Sequence, residues 1–137
     1  HLADPVRVLR EMVRVCRPDG RVAVMDMIAS DDVEKSERFN RMERLRDPSH
    51  VEALTLAALR QCILDAGLPE PCVVHHKMDV ELGAVLNASF PDEDDRERVR
   101  EMVVASLADD SMGIQTRLRG NKVFFSYPIA LLVTTAA

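Results

Sequence analysis

The sequence predicts an α/β domain, and three features of the chain indicate that class. Segments with helical periodicity alternate with short apolar segments, in the order helix, strand, helix, helix, strand, helices, strand. The first short segment, residues 21–28 (RVAVMDMI), is rich in β-branched residues and apolar on both faces, which is typical of a strand buried inside a parallel sheet. Apolar residues make up 47% of the 137, so the chain is able to form a hydrophobic core.

The first helix and strand have clear local signals. Asp4 is suited to cap the free N–H groups of a helix that opens at Pro5, where a missing N–H costs nothing. Apolar residues then recur at helical spacing over the following turns. Pro18 ends the helix, Gly20 permits the turn, and the strand follows at once. Asp26 is the polar residue inside that strand, near its carboxyl end, where open α/β sheets place ligands.

Two further helices follow the strand. Asp31 and Asp32 are placed to cap a helix that runs to about Arg46, and its narrow apolar stripe predicts a lid lying over the core. The sequence RDPSH at residues 46–50 breaks this helix. A third helix is capped by Thr55 and ends at an Ala-Gly pair.

The second half of the chain predicts two strands separated by a helical insertion. Residues 72–80 alternate between the two faces of a strand, one of them wetter than the other. Residues 80–112 contain two helical segments and are interpreted as an inserted lid. Residues 123–133 form the last strand, in which Pro128 predicts a bulge or a sheet edge, because a central strand cannot spare the N–H that proline lacks.

A dense pattern of residues surrounds the first helix and strand. It consists of HLADP at residues 1–5, LREM at 9–12 and RVCRPDGRV at 14–22. This pattern resembles the C-terminal half of class I S-adenosylmethionine-dependent methyltransferases, in particular the methyltransferase type 11 or ubiquinone/menaquinone-biosynthesis-like group. Asn40, Glu43 and residues 46–50 are similar to the same group, whereas Asp19 departs mildly from its pattern. The similarity is thin from Val80 onward.

The resemblance implies a partial Rossmann-like sheet with a helical insertion. Residues 22–28 would be strand five of a seven-stranded sheet, residues 72–80 strand six, and residues 123–133 an antiparallel strand seven lying between them. Residues 1–137 would then be a single C-terminal portion of a methyltransferase domain. The chain opens in a loop-like stretch without an initiator methionine, and we therefore expect a fragment of a longer protein.

By the same resemblance, the cofactor of the complete protein is S-adenosylmethionine. The family holds it with a glycine-rich turn after the first strand, where the backbone approaches the ligand closely. None of the five glycines of this sequence stands in a G-x-G spacing, so the main binding motif is absent. Only His1 and Leu2 match the family segment near the methionine end of the cofactor. We therefore expect the chain alone to bind S-adenosylmethionine poorly and to be inactive.

Arg46, Asp47 and His50 cluster where the second helix ends. The resemblance places them on the substrate side of the cofactor, with His50 as a general base. The alternative is an Arg–Asp pair and an exposed histidine that only fix a turn. Spacing alone favours the turn, and the resemblance makes the two interpretations about equal.

Three more polar residues are candidates for substrate binding. Asp26 is placed to orient a substrate at the carboxyl end of its strand, or equally to serve as a turn carboxylate. Asn40 and Glu43 lie about one helical turn apart on one face of the second helix. That face suits a pocket lining, but the spacing slightly favours a solvated surface.

Several function classes are not expected. The net charge is -5 and basic residues alternate with acidic ones, which argues against nucleic-acid binding. His75 and His76 are neighbours on a strand, point to opposite faces and cannot chelate a metal together. The acidic run at residues 92–95 suits a helix start and lacks the spacing of a calcium loop. Three scattered cysteines predict a reducing, cytoplasmic location, and the apolar runs are too short to span a membrane.

Two functions remain open at this stage. The first is methyl transfer to a small organic acceptor by the complete protein, with residues 31–45 and the insertion selecting the acceptor. The second is a non-catalytic α/β module, or a truncated inactive fragment, that dimerises through an exposed strand edge. A sheet that lacks neighbours for its first strand predicts such an edge, and hence a homo-oligomer.

Overall fold

The computed structural model describes residues 2–136 and forms a mixed α/β domain, as the sequence predicts. None of its helices is long and apolar enough to cross a membrane, as far as residues 2–136 show. In chain order the elements are α1 (Pro5–Val15), β1 (Arg21–Met27), α2 (Val33–Arg46), α3 (Leu56–Asp65), β2 (Cys72–Glu81), α4 (Leu82–Asn87), α5 (Glu93–Ala105), β3 (Arg117–Arg119) and β4 (Lys122–Thr135).

The strands form one antiparallel sheet with β4 in its centre. The order is β1-β4-β2, and the short β3 pairs with the beginning of β4 on the side of β1. The placement of the last strand between the other two is the arrangement that the resemblance predicts. Both β1 and β2 pair with β4 in antiparallel orientation, which agrees with the antiparallel last strand that the resemblance implies. The parallel sheet expected around the first strand is not observed in the ladders of residues 2–136.

The expectation that the first strand is buried on both faces is wrong for the described chain. Val22 is the buried residue of β1, whereas Met25 is 69% exposed. On one face Val22 and Val24 pack against the cluster that contains Leu9 and Ile63, whereas on the other face only Met27 packs against the second cluster of the described residues. The outer edge of β1 has no partner strand within residues 2–136. The apolar pattern therefore predicted the strand correctly, but it did not indicate which strands and helices of the described chain would pack beside it.

Pro128 lies inside the central strand without a bulge. The register between β4 and β2 is unbroken through this position. The carbonyl of Pro128 accepts a hydrogen bond from the backbone N–H of Ile28 at 2.9 Å, so the proline nitrogen faces the same side. On that side β1 ends at Met27, and the backbone N–H of Ala29 donates to the carbonyl of Leu54. The predicted bulge is wrong. The predicted sheet edge corresponds only to a local gap in the ladder, a short stretch where β4 has no paired strand beside the proline nitrogen.

The core is divided between the two faces of the sheet. One cluster packs α1 and α3 against the sheet and includes Leu9, Val22, Leu59, Ile63, Leu68, Ala130 and Leu132. The other packs α2, α4 and α5 against the opposite face and includes Phe39, Met42, Leu82, Leu86, Val99, Val103, Phe125 and Tyr127. Both clusters meet β4, because a central strand contributes alternate residues to both faces.

Side chains cap the helices much as the sequence predicts. The carboxylate of Asp4 accepts a hydrogen bond from the N–H of Arg7 at 2.9 Å, and Thr55 caps α3. Asp32 caps α2, while Asp31 lies outside the cap. Each such bond satisfies an N–H group that the first turn of a helix leaves free.

Candidate functional site

A cleft lies at the carboxyl end of β1 and encloses about 140 Å³. It is built from the segment before α1, the end of β1, the segment between α2 and α3, and the beginning of α3. The lining residues are Leu2, Ala3, Pro5, Asp26, Val51, Glu52, Leu54 and Leu59. The structure thus brings Leu2 and Asp26 together, two of the residues proposed from sequence. His1, the other predicted cofactor residue, lies outside the described residues.

Asp26 is an exposed carboxylate at the rim of this cleft. Its Oδ1 accepts a hydrogen bond from the backbone N–H of Met27 at 2.8 Å, which fixes the side chain locally. Its Oδ2 has no protein partner within residues 2–136. The carboxylate thus serves the local structural role that the sequence offered as one alternative, and the role in orienting a substrate stays a prediction.

Residues 50–55, which we call the strap, form one wall of the cleft. Val51 and Glu52 are exposed strap residues that line it. His50 and Ala53 are buried and face the protein interior. Asn40 on α2 contacts both of these buried residues through its side-chain amide.

Buried His50 is held by that amide. The distance between His50 Nε2 and Asn40 Oδ1 is 2.9 Å. Because the Asn40 amide nitrogen donates to two carbonyls, its oxygen must be the acceptor, and Nε2 of His50 therefore carries the proton. Burial lowers the pKa of His50 below its usual range and favours the neutral ring. The prediction of an exposed histidine is wrong, since only 7% of the residue is exposed.

A turn precedes the strap. The carboxylate of Asp47 accepts hydrogen bonds from the backbone N–H of Ser49 at 2.9 Å and from its hydroxyl at 2.6 Å. These bonds, the hydroxyl first, lower the pKa of Asp47 below its usual range. Asp47 thus performs the turn-fixing role that the sequence left as an alternative.

Glu43 is fully buried and is the centre of a second polar network on α2. Its Oε2 accepts from Arg46 at 2.6 Å, and its Oε1 accepts the hydroxyl of Tyr127 on β4 at 2.8 Å. Arg46 also donates to the hydroxyl of Ser89 at 2.9 Å. Burial disfavours the charge on Arg46, but the hydrogen bond and the charge of Glu43 outweigh it and raise its pKa. Burial, together with the charge of Glu43, raises the pKa of Tyr127 and keeps its hydroxyl protonated.

The solvated-face interpretation of Asn40 and Glu43 is therefore wrong. Both side chains are buried, with exposed fractions of 4% and 0%. They widen the narrow apolar stripe of α2 into a broad packed face, so α2 lies over the core, as predicted, and is anchored to the sheet. Arg46 pairs with Glu43 on the preceding turn of the same helix.

Sequence reasoning missed Tyr127, Val51 and Glu52. Tyr127 is the single tyrosine of the chain and stands among apolar residues of a strand. A buried tyrosine usually finds a hydrogen-bond partner, so it was the available signal that a polar group lies opposite. Val51 and Glu52 carry no pattern that marks a cleft, since exposed loop residues look alike in a single sequence.

The lining of the cleft contains none of the five glycines of the sequence. Residues 2–136 also contain no group of three or more His, Cys, Asp or Glu side chains arranged to hold a metal ion. His75 and His76 are exposed on opposite faces of β2.

Comparison with known proteins identifies relatives over part of their length. The Bacillus subtilis (strain 168) protein named uncharacterized methyltransferase YcgJ is 40% identical over 57 residues, which are 42% of this chain and 22% of that protein. No protein-family model matches the chain. The resemblance to class I methyltransferases is confirmed. It is a partial match, and the activity of the chain does not follow from it.

Two solved structures share the fold. The crystal structure of Bacillus subtilis YcgJ superposes with a TM-score of 0.85 at 22% identity and covers 98% of this chain. The candidate methyltransferase BH2331 from Bacillus halodurans C-125 superposes with a TM-score of 0.87 at 14% identity and covers 99%. The chain spans 58% and 59% of these two structures, so it corresponds to little more than half of each.

Proposed function

We propose that the complete protein transfers a methyl group from S-adenosylmethionine to a small organic acceptor, and that this chain supplies the acceptor side of the site. The observation that carries the proposal is the cleft at the carboxyl end of β1, where Leu2 and Asp26 meet. The partial similarity to a methyltransferase supports the reaction class.

The strand correspondence is part of the same proposal. We assign β1, β2 and β4 to strands five, six and seven of a class I methyltransferase sheet. The central, antiparallel position of β4 supports the assignment. In a sheet of that kind, ligands bind beyond the carboxyl ends of the parallel strands, and the cleft lies at that end of β1.

The residues of this chain have distinct roles in the proposal. Methyl transfer depends on aligning the acceptor with the methyl group in a site that excludes water, and the apolar part of the lining serves the second need. Asp26 orients the acceptor through Oδ2. Asn40 and Glu43 shape the site from behind the strap. The general-base role predicted for His50 would require Nδ1, because the Nε2 proton is already donated to Asn40.

The test uses the complete protein, because this chain alone lacks a glycine-rich turn. Calorimetric titration with S-adenosylmethionine should show binding, and an acceptor panel of small amines, phenols and carboxylic acids should release S-adenosylhomocysteine. Asp26→Asn should lower kcat/KM about tenfold, the expected loss of one charge-assisted hydrogen bond. Asp19→Asn makes the same chemical change on an exposed residue in the turn between α1 and β1 and should leave activity unchanged. Absence of cofactor binding by the complete protein would refute the proposal.

A second candidate, self-association as a non-catalytic module, is favoured by the edge of β1. This strand pairs on one side only within residues 2–136, and Met25 on it is 69% exposed. Such an edge offers unpaired N–H and C=O groups to a second copy of the chain. Light scattering of this chain should show a dimer that Met25→Lys weakens, while Met78→Lys on the opposite outer strand should not. A monomer at every concentration would remove this candidate.

A further inference from the structure

The strap is attached to the protein at both of its ends. At its end nearer α3, the backbone N–H of Ala29 donates to the carbonyl of Leu54 at 2.9 Å, and Ala29 forms a parallel bridge with Thr55. At its other end, Asn40 contacts His50 and Ala53. The two exposed cleft residues of the strap, Val51 and Glu52, lie between His50 and Ala53, both of which the Asn40 side chain holds.

The amide of Asn40 is fully used. Its Oδ1 accepts from Nε2 of His50 at 2.9 Å and from the backbone N–H of Ala53 at 2.6 Å. Its Nδ2 donates to the carbonyls of Ala53 and Ser36, each at 3.1 Å. An asparagine side chain has two donor hydrogens and two acceptor lone pairs, and all four are engaged. Among residues of this length, asparagine alone offers that combination, since aspartate has no donor and leucine has neither.

The helix that carries Asn40 is itself fixed to the sheet. One turn further along α2, buried Glu43 accepts the hydroxyl of Tyr127 from the central strand at 2.8 Å. Two polar contacts of α2 therefore fix the strap relative to the sheet. Asn40 contacts the strap, and Glu43 contacts Tyr127 on β4. This arrangement fixes the strap, and with it Val51, relative to the sheet that carries Asp26, and both residues line the cleft.

We propose that Asn40 is a positioning residue that fixes the strap wall of the acceptor cleft. The word acceptor rests on the proposed function, whereas the fixing of the strap does not. Asn40 is buried behind the strap and does not line the cleft, so it acts through Val51 and Glu52. Removing its amide should loosen that wall while leaving the cofactor side of the complete protein intact.

The first test is hydrogen exchange of the backbone amides in residues 50–55 of this chain, measured by NMR. Asn40→Ala removes every contact and should raise the exchange rate of the Ala53 amide at least about tenfold. Asn40→Asp keeps the acceptor oxygen and should give a smaller increase. The same variant places a carboxylate beside His50 and should raise the pKa of His50 above its usual 6.5, whereas loss of burial alone would only return it to that value. Asn121→Asp is the control, because it makes the same chemical change in an exposed turn.

Unchanged exchange in residues 50–55 would overturn the proposal. So would an increase of the same size in α5 and β4, which would mean a general loss of stability. If Asn40→Ala does not fold, the Asn40→Asp variant decides, since it retains two of the four hydrogen bonds.

The second test separates the acceptor from the cofactor in the complete protein. Asn40→Asp should raise KM for an acceptor found in the panel about fivefold or more, while the Kd for S-adenosylmethionine changes less than about twofold. If KM for the acceptor and Kd for S-adenosylmethionine rise by the same factor, the positioning role is overturned. A wild-type protein that does not bind S-adenosylmethionine would refute the proposed function, and the exchange rates would still decide whether Asn40 fixes the strap.

Discussion

The hydroxyl of Tyr127 allows a direct measurement of the network that anchors α2. Tyr127→Phe removes this group alone, because the ring keeps its edge contacts with Phe125 at 5.0 Å and with Phe39 at 6.2 Å between centroids. What is lost is a 2.8 Å hydrogen bond to the fully buried carboxylate of Glu43. The Oε1 atom that accepts it has no other hydrogen bond within residues 2–136.

The magnitude follows from the charge and the burial of that carboxylate. A hydrogen bond to a charged group contributes about 1.5–3 kcal/mol to stability. When the acceptor that loses its partner is buried, the free-energy cost lies at the upper end of that range. We therefore expect Tyr127→Phe to lower the free energy of unfolding by about 2–3 kcal/mol in urea denaturation followed by circular dichroism. In a Glu43→Gln background the same change should cost only about 1 kcal/mol, since the acceptor is then neutral.

Ser106→Ala is the matched control, because it also deletes a buried hydroxyl. The Oγ atom of Ser106 has no hydrogen-bond partner in the described part of the chain. Its removal should change the free energy of unfolding by less than about 0.5 kcal/mol or stabilise the protein. If Tyr127→Phe costs no more than Ser106→Ala, the reasoning that the Glu43 network anchors α2 is refuted.

Three further predictions concern local features of the fold. Gly20→Ala should destabilise by about 1–3 kcal/mol in urea unfolding, because the new Cβ would lie 2.8 Å from the carbonyl oxygen of Arg17; a neutral result would contradict the tight turn. Burial lowers the pKa of His50 from its usual 6.5. The unfolded chain therefore binds the proton more readily, and stability should fall as the pH drops below about 6.5, by at most about 1.4 kcal/mol per pH unit. His50→Gln should remove that part of the pH dependence, and an unchanged profile would contradict it. Pro128→Ala should cost about 1 kcal/mol or less in thermal unfolding, whereas Ala130→Pro, in the paired part of β4, should cost about 3 kcal/mol or more; similar costs would refute the local gap.

The local structure of this chain is largely predictable from its sequence. The cap at Asp4, the turn at Gly20 and the strand at residues 72–80 each depend on a few neighbouring residues, and the structure confirms them. The drier face predicted for that strand is wrong, because Val74 and Met78 on it are 48% and 47% exposed. The position of β4 between the other strands came from the family resemblance and agrees with the observed order. The features that were predicted correctly depend either on neighbouring residues in the sequence or on similarity to a known fold.

The buried polar network was not predictable in the same way. Glu43 and Tyr127 are 84 positions apart, and nothing in the periodicity of α2 indicates that a tyrosine will lie opposite. A glutamate and an asparagine on a helix are normally exposed, so the interpretation as a solvated face followed the usual cost of burying polar groups. That cost is offset here only because each buried group finds partners from distant parts of the chain.

The anchoring of α2 also limits which part of the proposed site is able to move. Lifting this helix from the sheet would separate Glu43 from Tyr127 and expose Phe39 and Met42 from the core. Losing the hydrogen bond from Tyr127 to the buried carboxylate costs about 2–3 kcal/mol, and exposing Phe39 and Met42 adds to that cost, so an open state of that kind would be sparsely populated. Under the proposed function, we therefore expect the choice of acceptor to depend more on the exposed side chains of Val51 and Glu52 in the cleft than on α2. Exchanging Val51 for a larger apolar residue should consequently shift acceptor preference in the panel without changing the stability of the α2 network.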